Sequence, residues 1–268
     1  MRRLRVLTDR FPGRPAYDTA VSRALLEAVA AGREPESLRL YRPDDALAFS
    51  VLDRTRPGFE GAVAAARARG FEAMLRLAGG RAAVFHRATL AFAWLIPCEE
   101  PRRHIAARFE MLAALVTEAL RGLGVDARVG SVPGEYCPGD HSVNAGGRTK
   151  IMGVGQRLVR GAAHVGGVIV VGGSERVREV LVPVYRALDF DFDPATVGSV
   201  EDERGETPVE GVADALLGVF ARHCALEPAA VDVGTLARAR ELEGWHRPEA
   251  RGATARVLPD AKGVSEGA

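Results

Sequence analysis

Apolar and polar positions alternate along this chain in two different periods, and each period predicts its own kind of element. A spacing of three to four residues predicts helices over residues 18–31, 59–68, 101–120 and 174–188. Short apolar runs, alternating or continuous and many of them bounded by glycine, predict strands. These strands are expected at residues 4–8, 38–41, 47–51, 73–77, 82–86, 90–96, 125–129, 142–144, 149–151, 154–158 and 164–171.

The order of these elements favours an α+β fold, because helices and strands mix without strict alternation and short turns join many strands. We expect residues 1–206 to form one domain with a central mixed, largely antiparallel sheet flanked by helices. A capping-box start at Thr207 and a second helical pattern at 235–245 predict a small C-terminal helical appendage over 207–247. Residues 248–268 hold few large apolar side chains and are expected to form a disordered tail.

Composition narrows the classes of function. The chain of 268 residues carries 36 Lys and Arg against 35 Asp and Glu, so we do not expect it to bind nucleic acid. No apolar run has the length of a membrane span, and the basic N-terminus precedes too few apolar residues for a signal peptide. A cytoplasmic protein without membrane contact is therefore expected. The motifs typical of P-loop enzymes, α/β-hydrolases and zincins do not occur.

Cysteine usage argues against structural crosslinks. The three cysteines are widely spaced and show neither CxxC nor zinc-ligand spacing, so we expect no disulfide framework and no metal site. Cys98 ends a predicted strand and Cys224 ends a predicted helix, which is typical of packing residues.

Residues 134–157 combine one cysteine, two glycine-rich turns and one lysine, a combination that core segments do not need. The thiolate of Cys137 is a candidate acyl acceptor, because its thioester is reactive enough to pass the acyl group to an amine. Nearby Lys150, Arg148 or His141 would lower the pKa of that thiol. The alternative is a buried or idle cysteine.

Lys150 lies directly after a glycine-rich turn in a chain whose basic residues are otherwise arginine, apart from Lys262 near the C-terminus. A compact ammonium in that place would polarise an acyl carbonyl or hold a phosphate. The alternative is a solvated lysine in a hairpin.

The diglycine at Gly79 and Gly80 separates two predicted strands and lies between Arg76 and Arg81. Such a turn lets backbone N–H groups surround a phosphate or a carbonyl. The two arginines would add positive charge to that binding site. The alternative is a simple hairpin turn with solvated arginines and a structural His86.

Three pieces of the chain together resemble the lipoate–protein ligase and octanoyltransferase superfamily, whose fold also includes biotin ligases. Residues 38–41 resemble an early strand of that superfamily, residues 76–86 its R-x-x-G-G-x-A-V-x-H loop, and residues 147–157 its G-x-K-[IL]-x-G-x-[AG]-Q motif. The resemblance covers roughly residues 38–188. It departs from the pattern by one extra alanine before the histidine of the loop and by Arg87 in place of an aspartate.

The resemblance implies a set of site residues. It implies that Lys150 touches the acyl carbonyl or an acyl phosphate, and that an apolar tunnel holds the acyl chain. We expect residues such as Leu75, Val84 and Phe85 to line that tunnel. The other residues implied to bind substrate are Arg76, Gly79, Gly80, Arg81, His86, His141, Gly147 and Gly153.

Two chemistries within the superfamily remain open. A cysteine octanoyltransferase takes octanoyl from acyl carrier protein onto a thiol and passes it to a lysine of a lipoyl carrier domain, without a cofactor. A ligase activates free lipoate or octanoate with ATP and magnesium before the same transfer. The GGRA form of the loop and the position of Cys137 upstream of Lys150 favour the transferase, although Cys137 lies slightly nearer the lysine than expected. A non-catalytic acyl-binding homologue is the third alternative.

Overall fold

The computed structural model describes residues 2–249, which form strands and helices in the order expected of an α+β protein. The strands are β1 Arg3–Leu7, β2 Ser37–Tyr41, β3 Ala46–Phe49, β4 Glu72–Leu75, β5 Ala83–Phe85, β6 Thr89–Pro97, β7 Ala127–Val129, β8 Val143–Ala145, β9 Thr149–Val159, β10 Ala162–Val170 and β11 Ala225–Ala229. The α-helices are α1 Pro15–Ala30, α2 Phe59–Arg67, α3 Ile105–Gly122, α4 Ser174–Ala187, α5 Val200–Arg204, α6 Val209–Ala221 and α7 Val233–Leu242.

Eight strands form the main sheet in the order β11-β1-β2-β6-β10-β9-β8-β7. The pairs β11–β1 and β1–β2 are parallel, and the five remaining pairs are antiparallel. A smaller sheet has the order β4-β3-β5. The predicted α+β class with a mixed, largely antiparallel sheet and flanking helices is confirmed.

Helices cover the sheets because each presents one apolar face. α3 and α6 pack together over one face of the main sheet, where the aromatic rings of Trp94 and Phe220 meet edge to face at 5.4 Å between centroids. α1 and α7 cover the other face, and α2 and α4 pack against the smaller sheet. Among the described residues, no helix combines the length and apolar character needed to cross a membrane.

The long hairpin of β9 and β10 differs from the expectation of two short strands at 149–151 and 154–158. Those two runs are one strand, because Gly153 and Gly155 lie within the paired ladder rather than in a turn. Gly155 is opposite Gly166 of β10. Three residues without side chains therefore lie on neighbouring positions of one sheet face, which leaves space above the sheet.

The C-terminal segment differs from the predicted helical appendage. α6 packs on α3, α7 packs on α1, and β11 extends the main sheet beside β1, so the segment is built into the layers of the fold. The sequence pattern missed β11 because Pro228 and Glu227 are unusual in strands. They are tolerated here because β11 is an edge strand. Apart from residues 248 and 249, the expected disordered tail lies outside the described residues.

Candidate active site

Cys137 lies in the loop that connects β7 and β8, and its backbone adopts a left-handed conformation with φ of 43°. That conformation is unusual for a residue with a side chain and costs on the order of 1–3 kcal/mol, so the surrounding structure must hold it. The residue that follows is Pro138, which further restricts the backbone of Cys137. Strained residues of this kind are typical of nucleophiles and ligand-binding loops.

Two donors approach the sulfur of Cys137 from the diglycine loop. The backbone N–H of Arg81 donates to Sγ at 3.1 Å, and Nη2 of Arg76 lies 3.7 Å from the same atom. Gly80, with φ of +102°, makes this approach possible. A Cβ at Gly80 would overlap the Arg76 guanidinium and would come within 2.9 Å of Sγ.

These donors change the protonation of Cys137. Burial raises the pKa of the thiol, but the charges of Arg76 and Lys150, together with the N–H of Arg81, outweigh it, and the net effect lowers the pKa of Cys137 from 9.0. Arg148 was expected to help, but its exposed guanidinium pairs with Glu203. The thiol is therefore biased toward the nucleophilic thiolate.

Lys150 is 1% exposed and bonds to the loop that carries Cys137. Its Nζ donates to Glu135 Oε1 at 3.0 Å, to the carbonyl of Tyr136 at 3.0 Å and to the carbonyl of Cys137 at 2.7 Å. Burial lowers the pKa of Lys150, and the charge of Glu135 opposes that shift. The buried lysine thus holds the backbone carbonyls of Tyr136 and Cys137 in place.

Glu135 is a site residue that the sequence analysis missed. Its carboxylate accepts hydrogen bonds from Val132 N at 2.9 Å, Gly139 N at 3.3 Å and Ser142 Oγ at 2.8 Å. With Lys150, these bonds tie both ends of the Cys137 loop to one buried charge. The signal for it was indirect, since a lysine buried at the end of a strand requires a nearby anion.

A cavity of about 440 Å³ opens beside Cys137 and brings the two predicted motifs together. The diglycine loop and the lysine lie on its wall, and the glycines of β9 and β10 leave room for it. Apolar and aromatic side chains form much of the remaining wall. The lining residues include Arg76, Gly79, Gly80, Ala83, Phe85, Ile105, Phe109, Tyr136, Cys137, His141, Lys150, Gly153, Gly155, Gly166 and Val168.

Strand geometry separates the residues expected to line the tunnel. Phe85 lines the cavity, but Val84 and Leu75 pack into the core formed with α2 and α4. Successive side chains of a strand point to opposite faces, so Ala83 and Phe85 face the cavity and Val84 faces away.

Three further predicted site residues, His86, Arg81 and Gly147, do not line the cavity. His86 is buried against the N-terminal end of α4, where burial lowers its pKa to about 4. The guanidinium of Arg81 stacks on Phe190 at 4.3 Å from the ring centroid, so only its backbone contacts the site. Gly147 lies in the turn between β8 and β9 and donates its N–H to Asn144 Oδ1. His141 lines the cavity and stacks on Phe109.

The described residues hold no cluster of side chains that could bind a metal ion. Within residues 2–249, no group of three His, Cys, Asp or Glu side chains is placed to hold a metal ion. The arrangement supplies a thiol next to the Arg76 guanidinium, a buried lysine bonded to the backbone of the same residue, and a largely apolar cavity. These are the elements of covalent acyl transfer.

The chain is similar in sequence to a known protein family and to enzymes of two bacteria. The family model described as lipoyl protein ligase A/B catalytic domain matches residues 14–221. The octanoyl-[GcvH]:protein N-octanoyltransferase of Geobacillus kaustophilus is 29% identical over 172 residues, which span 63% of this chain and 60% of that protein. The enzyme of the same name from Anoxybacillus flavithermus is 29% identical over 60% of this chain and 58% of its own length. The matched region thus spans about three fifths of these relatives.

Solved structures show the same fold at lower identity. Lipoate-protein ligase A bound with ATP superposes with a TM-score of 0.73 and 20% identity, covering 91% of this chain and 94% of its own. The bi-partite lipoate protein ligase of Thermoplasma acidophilum has a TM-score of 0.72 and 21% identity, covering 91% and 92%.

Proposed function

Because this chain belongs to the lipoyl protein ligase A/B catalytic domain family, we propose that it transfers an octanoyl group to the ε-amine of a lysine on a lipoyl carrier domain. The transfer passes through a thioester on Cys137. The observation that carries this proposal is the sulfur of Cys137, which lies in the wall of the cavity and is contacted there by the Arg81 N–H and the Arg76 guanidinium. A ligase that works through an adenylate has no need for such a polarised thiol.

The cavity suits a medium-chain acyl group. Its volume of about 440 Å³ lies within the range of small-molecule sites. Phe85, Phe109 and Val168 supply apolar wall, while the charged groups gather near Cys137. An octanoyl chain bound along this wall would bring its carbonyl to the sulfur.

The reaction has two halves. The thiolate of Cys137 attacks the acyl carbonyl carbon, a C–S bond forms, and the carbonyl π pair moves onto oxygen. Collapse of this intermediate expels a thiolate when the donor is octanoyl acyl carrier protein. When the donor is an octanoyl-lysine, water first protonates the nitrogen, and the lysine then leaves as the neutral amine. The neutral amine of the target lysine then attacks the thioester, loses its proton and releases the thiolate. No ATP is required, since the donor bond already holds the acyl group in activated or exchangeable form.

The donor is a carrier protein bearing octanoate. The names of the two octanoyltransferases that this chain resembles specify octanoyl-[GcvH] as the donor of their reactions. Octanoyl acyl carrier protein is the other donor with the required chemistry. Both therefore form arms of the test.

The test incubates the protein with each donor, without ATP, and looks for an octanoyl adduct by mass spectrometry. A hydroxylamine-labile adduct that forms with either donor and is lost in Cys137→Ser supports the proposal. Cys98→Ser is the matched control, because Cys98 follows directly after β6 and does not line the cavity. The adduct yield of this variant should equal that of the unsubstituted protein. An adduct that survives Cys137→Ser contradicts the thioester.

The two other candidate functions give different results in the same assay. A ligase would form an acyl-adenylate from ATP, magnesium and lipoate, and would continue to form it in Cys137→Ser. A non-catalytic homologue would bind octanoate but would modify no lipoyl domain with either donor.

A further inference from the structure

We propose that Lys150 and Glu135 are positioning residues of the nucleophile, and that the oxygen of the acyl group is stabilised by Arg76 and by the backbone N–H of Arg81. This inference rests on the proposed acyl transfer. It assigns the oxyanion to donors other than the lysine that the motif singles out.

Protein acceptors already engage the ammonium of Lys150. A lysine ammonium has three hydrogens to donate and no acceptor. Lys150 Nζ has three protein acceptors, namely Glu135 Oε1 and the carbonyls of Tyr136 and Cys137, at 3.0, 3.0 and 2.7 Å. A substrate oxygen would therefore have to displace one of these bonds.

The bonds of Lys150 hold the backbone of the loop that carries Cys137. The shortest of the three pins the carbonyl of Cys137, whose backbone has the left-handed φ of 43°. Glu135 in turn accepts hydrogen bonds from the N–H groups of Val132 and Gly139, which lie on either side of Cys137 in the loop. The side chains of Lys150 and Glu135 are 1% and 0% exposed, so releasing the ammonium would break a desolvated ion pair. The pair is arranged to hold the sulfur in place.

Two other donors already lie next to the sulfur of Cys137. The Arg81 N–H lies 3.1 Å from Sγ and the Arg76 Nη2 lies 3.7 Å from it. Nε of Arg76 is buried and has no hydrogen-bond partner among the described residues. When the C–S bond forms, negative charge moves from sulfur to the oxygen on the adjacent carbon. Donors that lie next to the thiolate are then close enough to donate hydrogen bonds to that oxygen, as an oxyanion hole requires.

Two reactions of Cys137 separate these roles. The first is acylation by p-nitrophenyl octanoate: the thiolate attacks the ester carbonyl, charge moves to oxygen, and p-nitrophenolate leaves without needing a proton. The second is alkylation by N-hexyl iodoacetamide: the thiolate displaces iodide at carbon and no oxyanion forms. Both reagents carry an alkyl chain for the same cavity. A residue that positions the sulfur affects both rate constants, whereas an oxyanion donor affects acylation alone.

Rate constants are compared at the high-pH plateau of each variant, where Cys137 is fully ionised. We expect Arg76→Met to lower acylation about 100-fold more than alkylation, the usual effect of removing one oxyanion donor. We expect Lys150→Met and Glu135→Gln to lower both rate constants together, so that their ratio stays within about threefold of the original. Arg176→Met, which removes an arginine paired with Asp45 outside the cavity, is the matched control and should change neither rate constant.

A loss of tenfold or more in the ratio for Lys150→Met, with the ratio of Arg76→Met unchanged, overturns the inference. If either single variant fails to fold, the double variant Glu135→Gln/Lys150→Met removes both buried charges together. Its ratio of acylation to alkylation should also stay within about threefold of the original. The proposed function fails separately: an unsubstituted protein without a p-nitrophenolate burst, or a burst that persists in Cys137→Ser, rules out the thioester before any ratio is measured.

Discussion

The guanidinium of Arg76 lies 3.7 Å from the sulfur of Cys137, although 61 positions separate the two residues in the chain. The contact joins the diglycine loop at the end of the smaller sheet to the loop between β7 and β8 of the main sheet. Arg76 carries the positive charge, and Cys137 carries the thiol whose pKa this charge lowers. The site therefore exists only where the two sheets meet.

The first prediction concerns the ionisation of Cys137. Thiolate increases as the pH rises through the pKa of the thiol, and the positive charge of Arg76 lowers that pKa. Arg76→Met should therefore move the midpoint of the pH–alkylation curve to higher pH. The measurement is the iodoacetamide reaction rate between pH 5 and 10, in a Cys98→Ser/Cys224→Ser background so that one thiol is followed. An unchanged midpoint would show that Arg76 does not act on the thiol.

The second prediction concerns Gly80. A Cβ at this position would overlap the Arg76 guanidinium and approach Sγ to 2.9 Å, and φ of +102° is strained for any residue with a side chain. Gly80→Ala should lower octanoyl transfer by at least about tenfold and destabilise the fold by about 1–2 kcal/mol. Gly79→Ala is the comparison, because a Cβ there meets nothing within 4 Å, and it should retain more activity. Equal losses in the two variants would contradict the packing argument.

The third prediction concerns the buried ion pair. Glu135→Leu leaves the ammonium of Lys150 buried without its anion and should reduce the free energy of unfolding by about 3–5 kcal/mol. Glu135→Leu/Lys150→Met should recover part of that loss, because no uncompensated charge remains. Urea unfolding measures both. Glu100→Leu, in an exposed pair with Arg103, is the control and should change stability by less than about 1 kcal/mol.

The fourth prediction concerns acid stability. Burial lowers the pKa of His86, His164 and His246 from 6.5 to about 4 in the folded protein. Between these values the unfolded chain binds protons that the folded protein does not, so stability falls as the pH decreases below 6.5. Between pH 7 and 5 each histidine should contribute a loss of about 2 kcal/mol.

His246→Asn tests that contribution. An asparagine N–H can take over the hydrogen bond that joins His246 Nδ1 to the carbonyl of Leu75 at 2.8 Å, and it does not titrate. The difference in unfolding free energy between pH 7 and 5 should shrink by about 2 kcal/mol in this variant. An equally steep pH dependence would mean that His246 is not buried in neutral form.

Local sequence determined much of this protein. The apolar periods determined most helices and strands, because each element buries one face. The motif spacing also pointed to Arg76, Gly79, Gly80, Cys137 and Lys150. Glycine-rich turns and a lysine beside them can be recognised within short stretches of sequence. The family followed from these local marks.

Tertiary structure alone decided which side chains meet. Glu135 has no motif of its own, and its role arises because the fold buries the ammonium of Lys150 beside it. Strand alternation turned Val84 away from the cavity, and a stacking partner drew the guanidinium of Arg81 onto Phe190. β11 became a strand because β1 offered an open edge. Each outcome depends on partners distant in the chain, which periodicity and spacing do not encode.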